Sequence, residues 1–499
     1  MSTTTLIPLH PKAAEFVSTP KKLLINGQWV DAISGERTQT INPATGEVIT
    51  TVAKGGREDV HQAVQAARKA FDEGPWSKMK PAERAKLLLK LADLMDDNAE
   101  EFAHLETLDN GRALMFTARV ANMCAEHFRY YAGWTTKTAG ETIPVSLPGD
   151  IFNYTRREPI GVCAAINPWN IPLPAAVMKL AAPLATGNTV VLKPASETPL
   201  TTLRLGELIQ EAGFPDGVVN IVTGPGSTLG KALTEHPDVD KIAFTGSTEV
   251  GQQIMRSGAS TIKKVTLELG GKSAHIIFAD ADYEVALRNA AHAIFMNSGQ
   301  LCVAGSRLFV EKNIYDRFVA DLADFTKTYT LGNGFAPSTM LGPVISEQQK
   351  NSILKYIDIG QQEGAELVIG GEAKGAGLEN GNYVKPTVFA NVTNDMRVAQ
   401  EEIFGPVVTA IPFDNMDEVI KMANQSIYGL AGGICTTDVR KAHKVAHALR
   451  TGNVWINTYG LADPASPFGG IKQSGIGKEN GAAAIDMYTE IKSVWLNLD

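Results

Sequence analysis

The chain of 499 residues is long enough for roughly two to four domains at about 100–200 residues each. With 44% hydrophobic and 20% charged residues it has an ordinary globular composition, which excludes wholesale disorder. A formal net charge of -8 leaves no general basic footprint, so neither nucleic acid nor an anionic membrane is expected as a partner.

In chain order, the first element signal is a pair of short apolar runs in residues 23–30 around Asn26 and Gly27, a dipeptide that favours a hairpin because both residues tolerate positive φ. Residues 57–71 and 80–107 then show apolar residues at three- and four-residue spacing, which predicts amphipathic helices. From Val162 the pattern alternates. Strands are predicted at 189–192, 218–222, 241–245 and 264–267, with helices at 202–211, 228–234 and 249–255 between them. Short β-branched runs separated by helices require a parallel sheet with crossover helices, so this block reads as a doubly wound α/β domain. A second alternating block follows: strands at 274–278 and 307–310, helices at 283–296 and 313–329, then, past a loop-rich stretch, elements at 407–413, 416–423, 431–436, 439–449 and 453–457. The glycine-rich residues 364–381 read as turns around a short strand-like run at 367–369.

The cysteines, Cys124, Cys163, Cys302 and Cys435, are widely spaced with no C-x-x-C pair, which indicates neither a disulfide framework nor a cysteine zinc site and suits a reducing compartment. Residues 1–25 contain three prolines and Glu15 but no arginine, unlike a signal or transit peptide. The most apolar window, 172–184, is too short to span a bilayer and carries Lys179. A cytoplasmic protein without a membrane segment is expected. His443 and His447 have the spacing of a metal pair, but no H-E-x-x-H pattern surrounds them and Lys441 and Lys444 mark a solvated face; no catalytic metal is expected.

Two glycine-rich turns follow strands and open helices. Gly224-Pro-Gly-Ser-Thr-Leu-Gly is one residue longer than the common dinucleotide fingerprint and alone is as compatible with a bare turn. Phe244-Thr-Gly-Ser places Gly246 and Ser247 where backbone N–H groups and a helix dipole could hold a phosphate. Cys302 follows a glycine turn and could be a nucleophile, although an arbitrary intracellular cysteine is more often a buried hydrophobe. Glu268 stands between two leucines beside a glycine pair, an unfavourable place for a carboxylate unless it is used or paired.

Together these pieces resemble the aldehyde dehydrogenase superfamily from about Leu23 to the C-terminus. The motifs run in family order: Pro168-Trp-Asn, Lys193-Pro-Ala, Phe244-Thr-Gly-Ser, Leu267-Glu-Leu-Gly-Gly, Gly299-Gln-Leu-Cys, Glu402-Ile-Phe-Gly-Pro and Pro467-Phe-Gly-Gly. The resemblance implies an α/β fold in three parts: a Rossmann-type cofactor domain (residues 1–139 and 160–270), an α/β catalytic domain (271–470), and a small β oligomerisation element with the C-terminal return (140–159 and 471–499). It implies an NAD(P)-dependent enzyme of the hydrolytic type, oxidising a small-molecule aldehyde to the acid, as a homodimer or homotetramer. Cys302 would form a thiohemiacetal and then a thioester, Asn170 would hold the oxyanion, and Glu268 would activate water, with Glu479 in support. Ile166, Trp169, Lys193, Ser196, Gly226, Phe244, Gly246, Ser247, Val250, Leu269, Gln349, Glu402 and Phe404 match cofactor positions. Many NAD-preferring relatives carry glutamate where this chain has Ser196, so use of both NAD and NADP is expected. Ile171, Met178, Leu301, Val303, Ala462 and Phe468 match the substrate tunnel; Ile171, Met178 and Ala462 stand where relatives often carry aromatic rings, and Met296 where an arginine usually meets dicarboxylic semialdehydes. An uncharged, bulky aliphatic, terpenoid or aromatic aldehyde fits; the alternatives are a broad-specificity aldehyde dehydrogenase or a cofactor-independent cysteine esterase. A non-catalytic descendant or a coenzyme-A-acylating variant fits less well, because nucleophile, base and oxyanion donor are all retained.

Overall fold

The computed structural model describes residues 5–373 and 378–499. Four sheets organise the chain. The first is built on five parallel strands, all or mostly buried, in the spatial order Lys264–Glu268, Lys241–Thr245, Val162–Ile166, Thr189–Lys193 and Val219–Ile221. The earliest of the five lies between the later two pairs, so the strand order reverses beside Val162–Ile166, and a crevice opens there at the carboxyl ends of the strands. The predicted hairpin forms one margin of this sheet: Leu23–Ile25 pairs with Gln28–Val30 through Asn26 (φ 51°) and Gly27 (φ 72°), both left-handed as a two-residue hairpin turn requires. At the other margin Gly475–Ile476 runs antiparallel to Lys264–Glu268.

The second sheet has the order Glu366–Ile369, Thr387–Ala390, Val407–Phe413, Arg307–Glu311, Ala274–Ile277, Ala431–Cys435 and Asn453–Ile456, parallel except for its first pair. A third sheet joins Thr489–Asn497 antiparallel to Ile151–Pro159, which also pairs with Thr142–Ile143. Arg37–Ile41 and Val48–Ala53 make a separate two-stranded ribbon, which has no counterpart among the predicted elements.

Several elements differ from the sequence pattern. The single helical run expected at 80–107 is two helices, Pro81–Asp97 and Ala99–Asn110, because Asn98 leaves helical geometry (φ -115°, ψ 19°). The helix expected at 228–234 begins two residues earlier as a wide π-helical turn, Gly226–Gly230, and continues as Lys231–Glu235. The apolar window at 172–184 is the helix Pro172–Thr186, almost wholly buried; it shows no polar face because neighbouring elements surround it. Helix Glu347–Gln362, N-capped by Ser346, lies in the stretch that reads as loops. Of the glycine-rich residues 364–381, 366–369 are a strand and 374–377 lie outside the described residues. Among the described residues no helix is long and apolar enough to cross a membrane. His443 and His447 lie exposed on helix Val439–Ala448.

Candidate active site

The crevice at the switch point of the first sheet is a cleft of about 1060 Å³. Every residue matched to a cofactor position lines it: Ile166, Trp169, Lys193, Ser196, Gly226, Phe244, Gly246, Ser247, Val250, Leu269, Gln349, Glu402 and Phe404. Ser247 caps helix Thr248–Gly258, its Oγ accepting the Val250 N–H at 3.4 Å, so the positive end of that helix faces the cleft. A Cβ added to Gly226 would meet nothing within 4 Å, which leaves the backbone there open to a ligand. Lys193, at the end of its strand, is buried; it donates to the Pro194 carbonyl at 2.9 Å, and burial pulls its ammonium down to about 8. Gln349, from helix Glu347–Gln362, donates to the Phe404 carbonyl at 2.9 Å and thereby holds the 403–404 segment, where Phe404 is itself left-handed (φ 55°). The Phe404 ring stands perpendicular to Trp169 with centroids 5.2 Å apart.

The glycine pair after Glu268 has a packing reason. A Cβ on Gly270 would lie 2.3 Å from a Glu402 carboxylate oxygen, and one on Gly271 would lie 2.3 Å from the Cys302 carbonyl. The Gly271 N–H donates to Glu402 Oε1 at 3.0 Å, yet burial still lifts the Glu402 carboxyl to about 7. The motif therefore brings the nucleophile loop and the Glu402 loop against one point of backbone.

Cys302 lies at the inner end of the cleft, half-buried but open to it. The preceding turn is left-handed through Asn297 (φ 51°), Ser298 (φ 53°) and Gly299 (φ 72°), and any side chain at Gly299 would collide with the Gly405 carbonyl. Burial, reinforced by the Glu402 and Glu268 carboxylates, pushes the Cys302 thiol up to about 12. Asn170 lines the same end, and its Nδ2 donates to the Gln300 carbonyl at 2.8 Å, leaving its second N–H available. Among the described residues the Cys302 N–H donates to no carbonyl.

Glu268 ends its strand behind this point rather than on the cleft wall. Neither of its oxygens has a hydrogen bond of ordinary geometry. Burial first, then the Glu479 carboxylate, raise its pKa well above the usual carboxylate range; Lys179, Lys478 and the Gly470 backbone only partly oppose this. Glu479 itself is ion-paired with the fully buried Lys179, whose Nζ also donates to Thr245 Oγ1 at 2.6 Å.

Of the residues matched to a substrate tunnel, Ile171 opens onto the main cleft and Met178 is half-buried on helix Pro172–Thr186. Leu301 and Val303 flank Cys302 and are half-buried. Ala462 and Phe468 instead line a separate cavity of about 210 Å³ shared with Trp455, Leu461, Asp463 and Asn480. The cleft also has walls that the motifs did not name, among them Glu197, Lys231, Gln253 and Arg256. Gln253 and Ile254 follow Val250 at three- and four-residue spacing, so the helical period past Ser247 was the signal that could have found them.

A cleft of this size at the switch point of a parallel sheet, with a cysteine opening onto it, is the arrangement of a nucleotide-binding α/β protein. The comparisons narrow this class. The sequence model of the Aldehyde dehydrogenase family matches residues 29–494. Mitochondrial aldehyde dehydrogenase of Rattus norvegicus is 50% identical over 95% of this chain and 91% of its own length. Betaine aldehyde dehydrogenase of Bacillus subtilis (strain 168) is 47% identical over 95% of this chain and 97% of its own. The NAD+ complex of aldehyde dehydrogenase from Bacillus cereus superposes with a TM-score of 0.97 at 50% identity, covering 99% of this chain and 100% of that one. The chain belongs to the aldehyde dehydrogenase family and is an oxidoreductase of that family.

Proposed function

We propose that the protein oxidises an uncharged, bulky aldehyde to its carboxylic acid with NAD or NADP, through covalent catalysis at Cys302. The observation that carries this reading is the convergence at one end of the cleft: thiol, oxyanion donor and cofactor-matched residues all line it, with Glu268 buried directly behind. The residues fit a dinucleotide: an open glycine turn at Gly226, a helix N-terminus at Ser247 and a buried lysine at the strand end supply backbone, dipole and charge for its phosphates and ribose. When bound, the nicotinamide accepts a hydride.

The chain's own residues do the rest. Cys302 gives up its thiol proton to solvent, the thiolate Sγ adds to the aldehyde carbon, and the new oxyanion is met by the free N–H of Asn170 and the backbone N–H of Cys302. That alkoxide collapses to a thioester as hydride leaves, a route that a free aldehyde lacks. Glu268 takes a proton from water, which attacks the thioester carbon; the acid departs and the Cys302 thiol is restored. A carboxyl raised by burial is a stronger base when ionised than an exposed one, which suits this step. Glu479 supports the site through Lys179 rather than by touching substrate.

Ser196 supports the use of both cofactors. It lines the cleft, and its Oγ donates to the Gly224 carbonyl at 3.1 Å, so an uncharged group stands where many NAD-preferring relatives carry a carboxylate. Lys231 and Arg256 add positive charge to the same walls. For substrate, the flanks of Cys302 are Leu301 and Val303, and the matched positions Ile171, on the cleft wall, and Met178, within helix Pro172–Thr186, are apolar too; these four offer neither an aromatic cage nor a counter-cation. Residues 1–139 with 160–270 would bind the cofactor, 271–470 would carry the nucleophile, and 140–159 with 471–499 would pair subunits.

The test is reduction of NAD and NADP followed by absorbance with short, long, aromatic and charged aldehydes, with Cys302→Ala as control. Cofactor reduction that Cys302→Ala abolishes, with decanal and phenylacetaldehyde ahead of acetaldehyde and succinic semialdehyde, is expected. A kcat/KM more than a hundredfold in favour of NAD would remove the dual-cofactor reading; ester cleavage without any cofactor reduction would replace the whole proposal with a hydrolase.

A further inference from the structure

The oxyanion donor and the nucleophile come from different sheets, and one segment of the chain touches the supports of both. Helix Ala99–Asn110 ends beside the cleft, and Asn110 Nδ2, buried, donates to the Trp169 carbonyl at 2.9 Å and reaches the Asn170 carbonyl at 3.4 Å. The Asn170 carbonyl also receives Asn297 Nδ2, from the nucleophile turn, at 3.0 Å. The next residue, Gly111, is left-handed (φ 87°) and packs so closely on the catalytic-domain loop that a Cβ on Gly342 would lie 2.0 Å from its carbonyl. Gly342 in turn accepts the Ser298 hydroxyl at 2.8 Å, within the turn that presents Cys302. The Asn110–Gly111 corner thus contacts the segment that carries Asn170 directly through a side chain, and the turn before Cys302 indirectly, through Gly342.

We propose that Asn110 is a positioning residue: by donating to the Trp169 and Asn170 carbonyls it fixes the peptide that aims the Asn170 amide at the carbonyl oxygen of a substrate held at Cys302. This rests on the roles proposed for Asn170 and Cys302 above. Asn110 does not itself line the cleft; its Nδ2 is spent on these two carbonyls, and its buried Oδ1 has no hydrogen-bond partner among the described residues. Hydrogen bonds to the carbonyls of the two peptides that flank the Asn170 Cα restrict rotation about the backbone bonds that carry its side chain. A misplacement of about an ångström in a reacting group costs on the order of a hundredfold in rate. Because the amide is a donor to charge that develops only after Sγ has added, its misplacement slows turnover and leaves ground-state binding in place.

The experiment is a double-mutant cycle between Asn110→Ala and Asn170→Ala on the full-length protein, reading kcat, aldehyde KM, cofactor Kd and the pre-steady-state rate of cofactor reduction. Asn110→Ala is expected to lower kcat and the reduction rate by about 10- to 100-fold, with aldehyde KM and cofactor Kd within about threefold of wild type. In the Asn170→Ala background the same change is expected to cost less than about threefold, since the group it aims is gone. An equal loss in both backgrounds, or a loss carried by cofactor Kd, overturns the proposal in favour of a general structural role. Asn170→Ala activity near wild type would overturn the reading of the oxyanion site and this inference with it, whereas a disabled Asn170→Ala beside an undisturbed Asn110→Ala overturns the inference alone. If Asn110→Ala does not fold, Asn110→Ser, which keeps a shorter donor, enters the same cycle and is judged by the same outcomes.

Discussion

At the scale of single residues, the thiol and the carboxylate both work deprotonated and both have raised pKa values, so both favour higher pH. Cys302 is pushed up to about 12 by burial and by the neighbouring carboxylates, so the resting side chain is a thiol and only a small fraction is thiolate near neutrality. Below that value the thiolate fraction rises tenfold per pH unit, and alkylation by iodoacetamide in the absence of cofactor should rise about tenfold per unit from pH 7 to 9. A plateau before pH 8 would show a thiol already ionised and contradict this. Cys163 and Cys435 are raised to similar values but are 1% and 2% exposed, so Cys302 should take the label selectively. Glu268 must be ionised to act as a base, and its raised pKa sets the sign: deacylation is fully active above that pKa and is lost as pH falls through it. Glu268→Gln should therefore retain one rapid equivalent of cofactor reduction per site and lose steady-state turnover by about 10²- to 10⁴-fold, a burst that stopped-flow absorbance reads directly. Loss of the burst as well would assign Glu268 to the acylation step instead.

At the scale of elements, helix Pro172–Thr186 is the spine of the site: Asn170 precedes it, Met178 and Lys179 ride on it, and its buried ammonium is neutralised by Glu479 from the C-terminal segment. Both partners are almost fully buried, so Glu479→Gln leaves Lys179 charged without a counter-ion and should destabilise the fold by about 3–5 kcal/mol. Thermal unfolding should show a clear fall in Tm, and replacing both, Lys179→Met with Glu479→Leu, should recover much of it; an unchanged Tm for Glu479→Gln would mean the charge finds another partner. This helix also shows where sequence reading stops. Elements half-exposed to water were legible from their period, as in Arg57–Asp72, and parallel strands from their β-branched runs, as in Thr189–Lys193 and Lys241–Thr245. A helix buried on all sides has no polar stripe, and Pro172–Thr186 read only as an apolar window. The break at Asn98 and the wide turn at Gly226–Gly230 were illegible for another reason: both are choices of backbone geometry that neighbouring packing decides. The cleft residues were named through motifs, whereas Asn110 reads in sequence only as the asparagine before a helix-ending glycine. Its donation to Trp169 is a contact across 59 positions that no local pattern encodes.

At the scale of the whole molecule, the small third sheet leaves apolar side chains in water. Thr489–Asn497 pairs along its full length with Ile151–Pro159, yet Ile491 is 64% exposed and Trp495 54%, with Leu496 and Leu498 also exposed beside them. The strand is at the margin of its sheet, so one row of its backbone N–H and C=O groups is unpaired as well. Apolar side chains and an open strand edge on the same nine-residue element make an association surface, and we expect the protein to be a homo-oligomer in solution. The cleft walls, Cys302, Asn170 and Glu268 all come from one chain and lie outside this sheet, so association should stabilise the fold without completing the chemistry. Light scattering coupled to gel filtration should give a mass at least twice the 53.5 kDa of the chain, and Ile491→Lys with Trp495→Glu should lower that mass while the burst of cofactor reduction per chain persists. A wild-type protein eluting at the single-chain mass would leave those side chains unexplained and overturn the assignment. A dissociated variant that lost its burst would show that the partner shapes the site, and would move the boundary of the catalytic unit from one chain to two.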